Sequence, residues 1–112
     1  MIELIRNKYG AEPEYLWMNQ PNYSVFRHKS NKKWFAVMMD VSKRKLGLTG
    51  EGKIEIMNVK CDKESVLFLL DEPGCFPAYH MNKASWVSVA LDGVVEGEKI
   101  KILLKNSYEM TK

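Results

Sequence analysis

The sequence has few of the residues from which metal sites and disulfide frameworks are built. It contains two cysteines and two histidines in 112 residues, and neither cysteine belongs to a CxxC pair. A zinc site needs more ligands at closer spacing, and no cluster of histidine and carboxylate residues has metal-ligand spacing. We therefore expect Cys61 and Cys75 to be buried thiols, and we expect no metal and no cofactor.

Long apolar runs are also missing. No stretch approaches the ~20 residues of a membrane-spanning helix. The opening residues MIELIRNKYG carry Glu3 and Arg6 where a secretion signal would have an apolar core. The hydrophobic fraction of 46% and the charged fraction of 28% are ordinary for a globular protein. We expect one domain spanning residues 1–112, monomeric and cytoplasmic, that does not contact membranes.

Positive charge is present but unevenly distributed. Residues 27–53 hold eight lysines and arginines against two acidic side chains, while the rest of the chain is near neutral. A basic segment on a near-neutral body can bind a polyanion. Lysine along a sheet edge also discourages pairing with other chains, and the sequence leaves both explanations open.

The apolar periodicity predicts an α+β protein. Alternation indicates strands over 23–28, 33–40, 53–61 and 86–91, and helical spacing indicates helices over 1–9, 98–110 and in the segment after Asp62. Asp62 has the side chain of a helix N-cap, and His28 is expected at a solvated strand edge. The order of elements predicts a two-layer sandwich, with helices packed on one face of an antiparallel sheet.

Residues 74–86, GCFPAYHMNKASW, form an unusual polar and aromatic connection between a helix and a strand. Phe76 and Trp86 are expected in the core, and Phe76-Pro77 is a candidate cis peptide. For Tyr79, His80 and Lys83 the residues leave two roles open. They either satisfy the backbone of the loop or bind a ligand.

No catalytic constellation is visible, so we do not expect an enzyme. His80 could act as a base, but no spacing connects it to a nucleophile. The glycine-rich stretch GLTGEGK (47–53) lacks the Ser or Thr of a phosphate-binding loop, and a strand rather than a helix follows it.

Two binding functions fit the residues. Cations beside aromatic rings suit nucleic acid, because cations contact phosphates and rings stack on bases. The candidate contacts are Arg27, Lys33, Lys43, Arg44, Lys45, Lys60, Tyr79, His80 and Lys83. Base-specific reading is not expected without a recognition helix. The alternative is a small-molecule or peptide pocket formed by the His80 loop against Trp17, Arg27 and Lys60.

Three segments resemble the MmcQ/YjbR family: NVKCDKES (58–65), PGCFPAYHMNKASWVSVALDG (73–93) and KNSYEM (105–110). The resemblance extends over residues 13–110, with Lys63 where the family often has proline and Ala78 where it often has glycine. It implies a CyaY-like (frataxin-like) fold and the DNA-binding role commonly given to the family. Iron binding is not expected, because the first helix offers only Glu3 where frataxins carry an acidic ridge.

Overall fold

The computed structural model describes all residues from 1 to 112 and has the predicted α+β class. Its helices are α1 (Ile2–Tyr9), α2 (Lys63–Leu69) and α3 (Gly97–Met110). Its strands are β1 (Ser24–Arg27), β2 (Trp34–Ser42), β3 (Lys53–Lys60), β4 (Cys75–Pro77) and β5 (Trp86–Ala90), and a 3-10 helix spans Lys43–Leu46. None of the helices is long and apolar enough to cross a membrane.

The five strands form one antiparallel sheet in the order β1-β2-β3-β5-β4. β2 lies inside the sheet, as its apolar run indicates. β4 was not predicted, because it has only three residues, one of them Pro77, and shows no alternation that could reveal it. All peptide bonds are trans, including the bond between Phe76 and Pro77, which the sequence offered as a candidate for cis.

All three helices contribute to one hydrophobic cluster on the first face of the sheet, which confirms the two-layer arrangement. α1 contributes Ile5, α2 contributes Val66 and α3 contributes Leu104. The predicted cap at Asp62 is present, and the first helix ends at residue 9 as predicted. Asp62 accepts a hydrogen bond from the backbone N–H of Ser65 at 2.8 Å, and Gly10 ends α1 with a φ of 65°.

A β-bulge in the pairing of β1 with β2 determines on which face of the sheet the side chains of Phe35 and Trp34 lie. Phe26 pairs with Ala36 but Arg27 pairs with Trp34, so Phe35 is the extra residue. Phe35 belongs to the helix-side cluster, whereas Trp34 packs on the second face.

His28 corrects an expectation, because it is buried rather than solvated. It is 5% exposed, its Nε2 lies 2.8 Å from Thr111 Oγ1, and its ring lies 4.3 Å from that of Tyr108. The C-terminal end of α3 covers this end of β1, a contact between residues distant in sequence. Burial lowers the pKa of His28.

The second face of the sheet is covered by loops and the short 3-10 helix instead of α-helices. A separate cluster there includes Val37, Met39 and Ile56 from the strands. Leu46 and Leu48 from the segment after β2, with Trp17 and Tyr79 from other loops, pack against it. Leucine and aromatic side chains therefore cover this face, and gaps remain between the loops that carry them.

Candidate functional site: an aromatic cleft on the second face

A cleft of about 460 Å³ opens on the second face, between loops that come from distant parts of the chain. Four of its lining side chains are aromatic rings of tryptophan or tyrosine, and none is a carboxylate. The lining residues are Trp17, Gln20, Tyr23, Trp34, Met39, Lys45, Tyr79, His80 and Met81. This volume lies within the range of roughly 300–1,000 Å³ that is usual for small-ligand sites.

Trp17 is the central ring of one wall of the cleft. Its ring centroid lies 6.0 Å from that of Tyr23 and 6.0 Å from that of Trp34, in both cases edge to face. Such geometry is favourable for aromatic pairs and holds the three rings in fixed relative positions. The wall therefore presents aromatic surface from a loop and from the first residue of β2.

The opposite wall is held by two buried polar side chains, Asn58 and Ser88, which are paired across β3 and β5. Ser88 accepts a hydrogen bond from the N–H of Tyr79 at 2.9 Å, and Asn58 donates one to the carbonyl of Tyr79 at 3.0 Å. Ser88 also donates to Asn58. Both backbone groups of Tyr79 are therefore satisfied by the sheet, which draws the loop 78–85 across the second face.

His80 follows directly and adopts a left-handed backbone conformation with φ of 58°. Few residues other than glycine adopt this region, and such strain costs about 1–3 kcal/mol where surrounding contacts impose it. The His80 ring lies 4.0 Å from the Tyr79 ring at the rim of the cleft. The locked Tyr79 backbone explains how this conformation is held.

Lys45 is the one lysine or arginine that lines the cleft. Its Nζ lies 5.8 Å from the centre of the Tyr79 ring, within range of a cation–π contact. The neighbouring Tyr79 side chain is the main cause that raises the pKa of Lys45. Lys45 therefore carries a positive charge at the rim near neutral pH.

A smaller groove of about 200 Å³ adjoins the cleft and shares Lys45 and Tyr79 with it. Lys83 and the side of β4 at Phe76 also line this groove. The fold thus brings together four of the predicted contacts, namely Lys45, Tyr79, His80 and Lys83.

The remaining predicted contacts lie elsewhere. Arg27 is held by Glu14 through two hydrogen bonds of 2.7 and 2.5 Å, and this pairing lowers the pKa of Glu14. Arg27 and Lys60 do not line the cleft, so the pocket forms around His80 and Trp17 without them. The register places Lys60 opposite Trp86, at the end of β3.

The basic segment 27–53 does not form one continuous patch. Lys33 precedes β2, whereas Lys43 and Arg44 follow it in the 3-10 helix. Since a strand rises about 3.3 Å per residue, the two groups are separated by about 30 Å along β2. None of Lys33, Lys43 and Arg44 lines the cleft, although their chain neighbours Trp34 and Lys45 do.

Sequence reasoning missed several cleft residues, among them Tyr23, Trp34, Met39 and Met81. One signal was available. The run 33–40 is apolar at nearly every position, which requires a covering on both faces of β2. The polar residues Asn58 and Ser88 within alternating strands were a second signal, because a buried polar side chain needs a partner.

Comparisons with known proteins agree on one family. A family model described as YjbR matches residues 6–110. The chain is 41% identical over 108 residues to the protein YyaQ of Bacillus subtilis strain 168, with 96% of this chain and 92% of that protein covered.

Two solved structures are similar. The crystal structure of a Pseudomonas syringae protein matches with a TM-score of 0.97 and 37% identity, over 99% of this chain and 95% of that one. A crystal structure from Deinococcus radiodurans matches with a TM-score of 0.66 and 25% identity, over 89% of this chain and 67% of that one.

Proposed function

We propose that this chain, which belongs to the YjbR family, is a small, non-catalytic module that binds a small molecule in the aromatic cleft. The observation that carries the proposal is the cleft itself, with its four aromatic rings and one lysine. Mostly apolar concave sites with a few placed polar groups are the usual form of small-ligand sites.

The position of His80 supports binding over catalysis. A general base needs a reactive partner within hydrogen-bond reach. The cleft is lined by no cysteine, serine or carboxylate, and the nearest ring to His80 is that of Tyr79. In this proposal His80 closes the rim of the cleft and contacts the ligand. The protein acts as a monomer in the cytoplasm, where the free thiols of Cys61 and Cys75 are stable.

The test is a titration of ¹⁵N-labelled protein with indole, a neutral planar probe, observed by NMR. The chain has three tryptophans, and their side-chain N–H signals report on separate places. We expect saturable shifts of the Trp17 and Trp34 signals, which line the cleft, while that of the buried Trp86 is unchanged. Equal shifts of all three signals, or none at Trp17 and Trp34, would argue against the cleft.

Nucleic-acid binding, which the family resemblance implies, is the second candidate. The observation in its favour is that Lys45 and Lys83 line the groove beside the Tyr79 ring. Lysines flanking a half-buried ring suit a single strand better than a duplex, because an unpaired base can stack while phosphates contact the cations. The separation of the basic segment into two groups favours the small-molecule cleft over this candidate.

Fluorescence anisotropy with labelled oligothymidine and a labelled duplex, at several salt concentrations, tests the second candidate. Binding whose log affinity falls linearly with log salt would support phosphate contacts. We expect Lys45→Ala and Lys83→Ala to weaken it, whereas Arg27→Ala, the matched control, leaves it unchanged because Glu14 already occupies Arg27. No binding at about 50 mM salt would exclude this candidate.

A further inference from the structure

The aromatic rings of the cleft are accompanied by unused hydrogen-bond donors. The indole N–H groups of Trp17 and Trp34 and the hydroxyl of Tyr23 make no hydrogen bond within the protein. None of them is among the buried polar atoms left without a partner, a group that contains only the Tyr9 hydroxyl. These donors can therefore bond to solvent or to a bound molecule in the cleft.

The side chains of fixed charge that line the cleft and the adjoining groove are both lysines. Lys45 is the only charged side chain of fixed sign in the lining, and Lys83 lies in the adjoining groove. Burial is the largest cause that raises the pKa of the Tyr23 hydroxyl; the carboxylate of Asp40 also raises it, and Lys45 lowers it. Asp40 Oδ2 lies 3.8 Å from Lys53 Nζ and accepts a hydrogen bond from Asn22. The positive charge of Lys53 therefore offsets part of the negative charge of Asp40.

Aromatic rings can also surround a cation, and this alternative must be weighed. In such cages the faces of the rings hold an ammonium group. Here the cation position over Tyr79 is already taken by Lys45, with its Nζ at 5.8 Å from the ring centre. A second positive charge in the cleft would be repelled by Lys45, and no lining carboxylate would offset that repulsion.

We infer that the cleft binds a planar aromatic molecule that carries a negative charge, with its ring against Trp17 and Trp34 and its anionic group at Lys45. This inference rests on the proposed small-molecule function and adds the class of ligand. The ammonium of Lys45 and the Tyr23 hydroxyl can both donate charge-assisted hydrogen bonds to a carboxylate or a phosphate. The rings supply the contact area and the selectivity for a flat shape.

Three probes with the same ring test the charge. Indole-3-acetate is an anion, indole-3-acetamide is neutral and tryptamine is a cation. Each is titrated into ¹⁵N-labelled protein, and affinities are taken from the shifts of the Trp17 and Trp34 side-chain signals and of the His80 and Met81 amides. We expect indole-3-acetate to bind at least about tenfold more tightly than the amide, and tryptamine to bind most weakly.

Variants assign the effect to Lys45. Lys45→Met keeps an apolar stem of similar length, so we expect it to reduce the affinity for indole-3-acetate to that for the amide while leaving the amide itself unchanged. Lys43→Met is the matched control, because Lys43 belongs to the same 3-10 helix but does not line the cleft. It should retain the preference for the anion.

The outcomes separate the two proposals. The proposed ligand class is wrong if indole-3-acetate binds no more tightly than the amide, or if tryptamine binds most tightly. Because indole and the amide would still bind in the cleft, the proposed cleft function would stand. If neither indole nor any of the three probes shifts the cleft signals, both proposals fail. If Lys43→Met weakens the binding of indole-3-acetate as much as Lys45→Met does, the preference for the anion is a long-range charge effect and the contact assigned to Lys45 is wrong.

Discussion

Asn58 donates a hydrogen bond to the carbonyl oxygen of Tyr79 across 3.0 Å, from the centre of the sheet to a loop on its second face. Asn58 has no exposed surface, and its oxygen is satisfied by Ser88. A buried amide is costly unless every group finds a partner. Here the partners are Ser88 and the backbone carbonyl of Tyr79, which lines the cleft, so the polar pair in the sheet positions the site.

Replacing Asn58 should therefore affect both stability and the loop. We expect Asn58→Ala to lower the free energy of unfolding by about 1–3 kcal/mol, because it leaves the Tyr79 carbonyl and the Ser88 hydroxyl without their partner. Urea unfolding measures the loss, and faster amide hydrogen exchange at His80 and Met81 would report the loosened loop. Asn19→Ala, at an exposed position, is the control. A loss no greater than that of the control would contradict the role of Asn58.

Gly74 and Gly93 form a matched pair for separating steric clash from backbone strain. Both have positive φ, 85° and 98°. A Cβ at Gly74 would lie 2.5 Å from Val95 Cγ2, whereas a Cβ at Gly93 would meet nothing within 4 Å. We expect Gly93→Ala to cost about 1–2 kcal/mol from the left-handed conformation alone, and Gly74→Ala to cost clearly more. Equal losses in urea unfolding would show that Val95 moves aside freely.

The lowered pKa of His28 predicts that the folded protein loses stability at mildly acidic pH. Its folded pKa lies below the ordinary value of 6.5, chiefly because of burial, so the unfolded state binds a proton more readily. Its contribution is fully present above pH 6.5 and is lost as the pH falls through and below that value. Neighbouring charges act in both directions, Lys112 and Lys33 lowering the pKa and Glu109 raising it.

The measurement is the free energy of unfolding from urea titrations between pH 7 and pH 5. We expect His28→Gln to be less stable than the wild type at pH 7, because the contact with Thr111 is altered, and to lose stability less steeply as the pH falls. Identical slopes for the two proteins would show that carboxylates alone set the pH dependence.

The two thiols should be unreactive in the folded protein. Burial, the largest cause, raises the pKa of Cys61 to about 11, and burial also raises the pKa of Cys75. Since the thiolate is the nucleophile, we expect Cys61 in the native protein to react with Ellman's reagent at pH 8 at least about a hundredfold more slowly than in denaturant. Reaction of both thiols at the denatured rate would contradict their burial.

Much of the fold could be read from short segments. The cap at Asp62 and the helices over 1–9 and 98–110 follow from local chemistry and spacing, and the structure confirms them. The apolar run of β2 also indicated coverage on both faces. Such features are predictable because each depends on residues that are close in sequence.

The sequence by itself determined the helices, most strands, the α+β class and the family, together with the presence of aromatic and basic residues around positions 79–83. Only the tertiary structure decided which of them meet. The bulge at Phe35 turned Trp34 to the second face, α3 buried His28, and loops from opposite ends of the sheet brought Lys45 onto Tyr79. These contacts join residues distant in sequence, and their free energy comes from packing and buried hydrogen bonds that no local pattern records.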